Sequence, residues 1–359
     1  MRVLLIEPYY GGSHRAWADQ YQQHSKHHID LLTLPDQFWK WRMQGGAVTL
    51  ARLYAGQSHS PDVILASDMF NLATFRALTQ ITDIPIALYF HETQLTYPQN
   101  SRQKHGWQYA FVNYISALAA DRVLFNSQYH LDAFFATLPN MLKHFADYNE
   151  LQTVDTIRAK SSVLPPGLNL TRFDPYGTAA VERDVPIILW NHRWEEDKNP
   201  KTFFKSLYLL LERDIDFRVA ITGENFRQHP TEFEAAKERL GERIIQYGYV
   251  ASFADYARLL WQADYVVSTA WQEFFGLSVV EAVYCGCIPI LPHRLNYPYL
   301  IPEVVHSACL YPGKALAPLL EKHLRGELSV DKFMLQAHVH QYDWSVLAAK
   351  YDTVLESLL

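Results

Sequence analysis

A chain of 359 residues is long enough for two domains with separate cores, and 49% hydrophobic with 19% charged residues is a globular composition that excludes a disordered or low-complexity protein. The formal charge of −6 argues against a general polyanion binder. That charge is uneven, because thirteen Lys and Arg balance thirteen Asp and Glu through residue 168, which leaves the acidic excess to the second half.

The first predicted element is the apolar strand RVLLIEP, followed by YYGGSHRAW. Gly11 and Gly12 permit close backbone approach there, and Ser13, ahead of His14, is placed to cap the next helix. This is not the dinucleotide G-x-G-x-x-G pattern, and a bare GG turn is more often structural than functional, although its position at the end of the first strand raises the functional reading. In KWRM, Trp41 stands between Lys40 and Arg42; it offers a stacking face flanked by charge, or it packs into the domain and leaves only the cations exposed.

Next, IPIALYFHETQLTYP reads as a strand running into a polar loop that Pro98 closes, with His91 and Glu92 at the carboxyl end. Basic strings at Lys26, Lys40, Arg102 with Lys104, and Lys143 supply possible phosphate contacts, although clustered surface cations are commonly just solvated. DRVLFNS repeats the strand-then-polar-loop pattern and delivers Asn126 and Ser127. A domain break is expected within 173–184, where Pro175, Gly177 and a polar stretch precede the strand VPIILW. The first domain is thus placed at 1–175 and the second at 185–341.

In the second half a buried strand ends near Asn191 and delivers Arg193 and Lys198 into the loop before a helix at roughly 200–212. A guanidinium fork and an ammonium so placed suit a diphosphate, or else pair with Glu195, Glu196 and Asp197. The run YVVSTA, 265–270, reads as a buried parallel strand, Gly276 supplies a tight turn, and 277–284 reads as a helix. Glu273 and Glu281 therefore bracket a glycine turn where open α/β sheets bind ligands. There carboxylates can grip sugar or ribose hydroxyls, and the amides opening the helix suit a phosphate. Ser278 and Glu281 also form an S-x-x-E capping box, which alone would account for Glu281.

Cys285, Cys287 and Cys309 are the only cysteines; one C-x-C pair lacks a zinc set, and an odd count argues against a disulfide framework. No apolar stretch reaches transmembrane length, and MRVLLIEPYY is too short for a signal peptide, so a reduced, cytoplasmic location is expected. The last segment, 342–359, has apolar positions at helical spacing.

The carboxylate pair Glu273 and Glu281 and the cation pair Arg193 and Lys198, in that order of domains, resemble the donor-binding signatures of the retaining GT-B glycosyltransferases of family 4. GGSH, KWRM, YFHETQLTYP, NYISALAADRVLFNS and WNHRWEEDKNP together resemble, over nearly the whole chain, the tRNA-queuosine α-mannosyltransferase family. The resemblance implies an α/β GT-B fold of two facing Rossmann-like domains, acceptor side first, with the terminal helix crossing back to the first domain. It implies transfer of mannose from GDP-mannose to queuosine in a tRNA anticodon. By the same resemblance Glu273 contacts the transferred sugar, Glu281 binds the ribose, Arg193 and Lys198 hold the diphosphate, and the amides around Phe275, Gly276, Leu277 and Ser278 complete the phosphate cradle. His91 falls beside the sugar, and Gly11 and Gly12 face donor and acceptor. Ser13, His14, Lys40, Trp41, Arg42, Glu92, Arg102, Lys104 and Asn126 are the acceptor-side candidates.

The expected mechanism is front-face substitution through an oxocarbenium-like state, with the leaving diphosphate taking the acceptor proton. No cofactor and no essential metal are expected, and no protein partner is inferred. Two other readings stay open at this stage: a family 4 glycosyltransferase acting on a lipid, glycan or small molecule, and a non-catalytic tRNA- or nucleotide-binding module.

Overall fold

The computed structural model describes residues 1–96, 107–144, 146–177, 184–224 and 230–359, so Arg102, Lys104 and Pro98 lie outside the described residues. The chain divides into two compact units, Met1–Asn169 with Tyr342–Leu359, and Leu170–Gln341.

The first unit is built on six parallel strands, β1 (Arg2–Tyr10), β2 (His28–Pro35), β3 (Val63–Ser67), β4 (Ile86–Phe90), β5 (Arg122–Phe125) and β6 (Ser161–Val163), in the order β2-β1-β3-β4-β5-β6. Runs such as VILAS and IALYF are buried at every position, as a parallel sheet covered by helices on both faces requires. The register sets Leu5 opposite Leu31 on one side and Leu65 on the other. Helix α1 (Gly12–His24) follows β1, and helix α2 (Trp39–Tyr54) follows β2. The helix Trp344–Glu356 belongs to this unit and packs on α1 through buried polar contacts. Trp17 Nε1 donates to the Tyr351 hydroxyl at 3.1 Å, and the Tyr21 hydroxyl donates to Asp352 at 2.9 Å. A Cβ at Gly167 would fall 2.2 Å from the Trp344 ring, so that indole seats directly on backbone.

The second unit repeats the plan with β7 (Ile187–Asn191), β8 (Arg218–Thr222), β9 (Ile244–Tyr247), β10 (Tyr265–Val267), β11 (Ile288–Pro292) and β12 (Leu310–Tyr311), all parallel, in the order β12-β11-β10-β7-β8-β9. The 3-10 helix Thr171–Tyr176 goes with this unit: Trp261 Nε1 donates to the Phe173 carbonyl at 2.9 Å, and the Phe173 ring lies 5.1 Å from that of Phe253.

Three local expectations need correction. Ser13 does not cap α1; the helix starts at Gly12, with Gly11 as N-cap and no side-chain cap. The strand expected over 265–270 ends at Val267. Beyond it Thr269 turns its hydroxyl to the Lys198 and Asn199 carbonyls, at 2.8 and 3.0 Å. The capping box of Ser278 and Glu281 does not form, because the helix Leu277–Tyr284 already begins at left-handed Gly276, φ 109°, which puts Ser278 inside its first turn. Among the described residues no helix is long and apolar enough to cross a membrane.

Candidate functional site

Each sheet reverses its strand order once, beside β1 in the first unit and beside β7 in the second, and such switch points leave a crevice at the strands' carboxyl ends. Glu273, Arg193, Lys198 and the Gly276 turn lie at the switch point of the second unit, and Gly11, Gly12, His14 and His91 at that of the first.

In the second unit, β7 leads into Arg193 and the 3-10 turn Glu196–Lys198, while β10 leads into the loop carrying Glu273. Lys198 is buried, and its Nζ lies 3.4 Å from Glu273 Oε2 and 3.2 Å from Asp197 Oδ2 and donates to the Gln272 carbonyl at 2.9 Å. Arg193 is different: 48% of its side chain is exposed, and its guanidinium pairs with Glu195 at 3.2 Å. The pairing with Asp197 and Glu195 weighed from sequence is thus present, and in the same geometry Lys198 joins the cation loop to the carboxylate loop.

Glu281 sits on the helix that Gly276 opens. A Cβ at Gly276 would come 2.8 Å from Leu300 Cδ1, so both its φ and its surroundings call for glycine. The first amides of that helix, at Leu277 and Ser278, belong to the turn whose N–H groups have no intrahelical acceptor. The Phe275 carbonyl accepts from Asn296 Nδ2 at 2.9 Å, and the Ser278 carbonyl from Asn191 Nδ2 at 2.9 Å, which pins both sides of the turn. Instead of a backbone amide, Glu281 accepts Arg172 Nη2 at 2.8 Å on one oxygen and the Tyr256 hydroxyl at 3.1 Å on the other. Burial pushes its carboxyl up, and Arg172 with Tyr256 pulls it back only in part. Arg172 is itself held by the Phe253 and Phe173 rings, 4.5 and 5.0 Å from its guanidinium carbon.

In the first unit, β1 ends at the glycine loop. Gly12 takes the left-handed φ of 51°, and a Cβ at Gly11 would meet the Asp36 carboxylate at 1.9 Å, so the glycines let the loop after β2 lie against the loop after β1. His14, in the first turn of α1, and His91, after β4, face each other with ring centroids 4.2 Å apart and planes tilted by 42°. Glu7 of β1 lies beneath them, its Oε2 3.3 Å from His14 Nδ1 and 3.6 Å from His91 Nε2. The His91 amide donates to Asp68 at 2.9 Å, and its carbonyl accepts from Asn126 Nδ2 at 2.7 Å. Asn126 Oδ1 in turn accepts from His130 Nδ1 at 2.9 Å, so this buried amide braces the His91 loop. Glu92 accepts from Gln94 Nε2 at 2.9 Å on the same loop. Among the described residues, Glu7, His14 and His91 form a group whose ligand-type atoms all lie within 4.8 Å of one another.

Farther along the unit, Trp41 is 59% exposed, which resolves its alternatives in favour of a surface ring; the indole lies over Gly45, whose absent Cβ would meet it at 2.4 Å. Lys40 Nζ stands 5.6 Å over the Trp39 ring, and the Arg42 guanidinium donates to the Pro35 carbonyl at 3.1 and 3.2 Å, holding the loop before α2. Ser13 lies on α1 next to His14.

Sequence reasoning missed Arg172, Tyr256, Asn191, Glu7 and Asp68. Glu7 did leave a signal, a lone carboxylate in an otherwise apolar strand, which is rarely buried without a partner. Arg172 left none, since it falls in a stretch that reads as a linker.

Residues 2–168 match the family model described as tRNA-queuosine alpha-mannosyltransferase N-terminal, and residues 179–355 match Glycosyl transferases group 1. The tRNA-queuosine alpha-mannosyltransferase of Drosophila melanogaster is 36% identical over 310 residues, 84% of this chain and 82% of that one. The GDP-mannose:cellobiosyl-diphosphopolyprenol alpha-mannosyltransferase of Xanthomonas oryzae pv. oryzae is 24% identical over 244 residues, 66% of this chain and 58% of that one. Among solved structures, sucrose-phosphate synthase from Thermosynechococcus elongatus superposes with a TM-score of 0.73 at 15% identity, covering 100% of this chain and 99% of the other, a likeness of fold, here GT-B.

Proposed function

The chain belongs to the tRNA-queuosine alpha-mannosyltransferase family and is a glycosyltransferase, and on that footing we propose that it transfers mannose from GDP-mannose to queuosine in a tRNA anticodon. The observation that supports a working donor site is Lys198 Nζ at 3.4 Å from Glu273 Oε2, which gathers a cation for a diphosphate and a carboxylate for a sugar at one switch point. The Xanthomonas relative is named for GDP-mannose as donor, and the Drosophila relative for tRNA-queuosine as acceptor.

In the proposed reaction the bond from the anomeric carbon to the diphosphate oxygen breaks, and a bond to an acceptor hydroxyl oxygen forms on the same face. The hydroxyl proton passes to the departing diphosphate, and GDP leaves. Arg193 and Lys198 offset the charge growing on that group, the buried Lys198 as a cation already fixed in place. Glu273 holds sugar hydroxyls, Glu281 the ribose, and the amides from Phe275 through Gly276 and Leu277 to Ser278 the phosphates. Gly11, Gly12 and His91 serve the donor, with His91 beside the sugar. Ser13, His14, Lys40, Trp41, Arg42, Glu92 and Asn126 are proposed for the acceptor side. Diphosphate departure is assigned to these cations, with no divalent metal required, and the cytoplasm is the proposed location.

The test is incubation of the purified protein with GDP-mannose and separate queuosine-containing and queuosine-lacking tRNA pools, followed by digestion and nucleoside mass measurement. A hexose added only to queuosine is expected. Turnover on an RNA-free extract instead would move the acceptor to a lipid, glycan or metabolite, and donor binding without any turnover would leave a binding module.

A further inference from the structure

Glu7 is wholly buried, and its two oxygens are used differently. Oε1 accepts the Tyr9 amide at 2.9 Å, which fixes the carboxylate plane, while Oε2 faces His14 Nδ1 at 3.3 Å and His91 Nε2 at 3.6 Å. None of these three facing atoms is exposed to solvent, and none has a well-formed hydrogen bond elsewhere among the described residues. The partners come from β1, the start of α1 and the end of β4, so the fold converges them. Trp17 closes one side with its ring 4.6 Å from His91 and nearly perpendicular to it.

One carboxylate oxygen can accept from both rings, but one negative charge offsets only one imidazolium. A second cation with its ring centroid 4.2 Å away would be repelled, so the two rings cannot both be charged. His14 has the shorter approach. Burial works against charging its ring, yet the Glu7 ion pair and hydrogen bond outweigh burial and raise it to about 9, with Asp68 and Glu92 adding to the effect. Burial and the His14 charge hold His91 down to about 4. Asp68, buried beside them, is pushed well up by burial and then by Glu92, and His130 behind His91 is kept neutral by burial.

We propose that Glu7 is a positioning residue that allots the protons of this pair, keeping His14 as the imidazolium and His91 as the neutral Nε2–H tautomer, so that His91 offers its Nδ1 lone pair to a hydroxyl of the transferred sugar. This rests on the reading of His91 as a sugar-facing group. The 4.2 Å between ring centroids separates it from a metal-centred arrangement: two imidazoles on one tetrahedral ion with bonds of about 2.0–2.1 Å diverge, with centroids roughly 5 Å apart.

The experiment is long-range proton–nitrogen correlation on the full chain carrying 15N-histidine, titrated from pH 5 to 9.5, with His14→Gln and His91→Gln variants for assignment. His14 is expected as an imidazolium at pH 7.5 and His91 as Nε2–H throughout. In Glu7→Gln, His14 loses its proton by pH 7.5 and kcat falls at least tenfold with an altered pH profile, while donor KM changes little. A neutral His14 or a charged His91 at pH 7.5 in the native chain overturns the proposal, as does an unchanged kcat profile in a folded Glu7→Gln. Stoichiometric zinc in the native protein that is lost in Glu7→Gln overturns it in favour of a metal site. Should Glu7→Gln not fold, the native spectra still decide. If the spectra agree but His91→Ala retains sugar transfer, the reading of His91 fails and the proton allotment stands.

Discussion

Arg172 and Glu281, 109 residues apart, meet at 2.8 Å in a pair that fills one oxygen of a buried carboxylate whose other oxygen is taken by Tyr256. From sequence Glu281 is a helix cap or a ribose ligand; the cap does not form, and in the fold the same carboxylate is also the hub of a clamp that ties the Thr171–Tyr176 helix to the Gly276 turn.

That clamp has a pH signature. The Glu281 carboxyl titrates above its ordinary value, chiefly through burial, so the native chain binds its proton more tightly than the unfolded chain does. Its contribution to stability is full below the ordinary carboxylate range and is lost as pH rises through the raised value. Urea melts between pH 4 and 7 are expected to show a downward slope in that window that Glu281→Gln flattens; an equal slope in the variant removes Glu281 as its source.

Arg172→Ala tests the same hub from the other side. It leaves a buried carboxylate without its cation, a loss of about 3–5 kcal/mol for a fully buried pair and less here, where the arginine side chain is 35% exposed. The midpoint of urea unfolding at pH 7.5 should fall, and fall less at pH 5; a midpoint unchanged at both values contradicts the clamp.

Arg193 presents the opposite case. Its half-exposed side chain pairs with Glu195 at the surface, in a contact of the kind worth about 0–1 kcal/mol, so Arg193→Ala should leave the melting temperature nearly unchanged. If it grips the diphosphate, a charge-assisted contact of about 1.5–3 kcal/mol goes, and kcat/KM for GDP-mannose drops about tenfold to a hundredfold. Native kinetics in the folded variant would remove Arg193 from the donor site.

Gly276→Ala should weaken the second unit by about 1–3 kcal/mol, because φ of 109° is strained for any side chain and Leu300 stands 2.8 Å from the new methyl. Thermal melts measure the loss, and a variant as stable as the native chain would show that the turn relaxes freely.

For Trp41, an exposed indole that stacks on a base should yield about 1–3 kcal/mol of affinity, so Trp41→Ala is expected to weaken tRNA binding about tenfold with little change in melting temperature. Unchanged tRNA affinity assigns the ring to some other surface role.

Where the chain signals locally, its sequence reads well. β7 ends at Asn191 and the helix of Glu281 spans Leu277–Tyr284, as apolar runs and a glycine between them indicate. What did not read was anything settled by distant partners. Ser278 looks like a cap until Gly276 is seen to start the helix, and the bracing of Asn126 between His91 and His130 is visible only once the strands bring them together. Glu7 shows itself only when α1 and β4 bring two imidazoles to it.

The seat of the helix Trp344–Glu356 on α1 carries a consequence for how the protein is made. Trp17 and Tyr21, one and two turns along from His14, find their hydroxyl and carboxylate partners only in residues translated after the entire second unit. A ribosome therefore releases a first unit whose glycine loop and histidine pair stand on an unfinished helix packing until Tyr351 and Asp352 have emerged. Chains cut short anywhere in the second half should emerge with that first unit loosened as well, susceptible to proteases at α1 rather than only at the break.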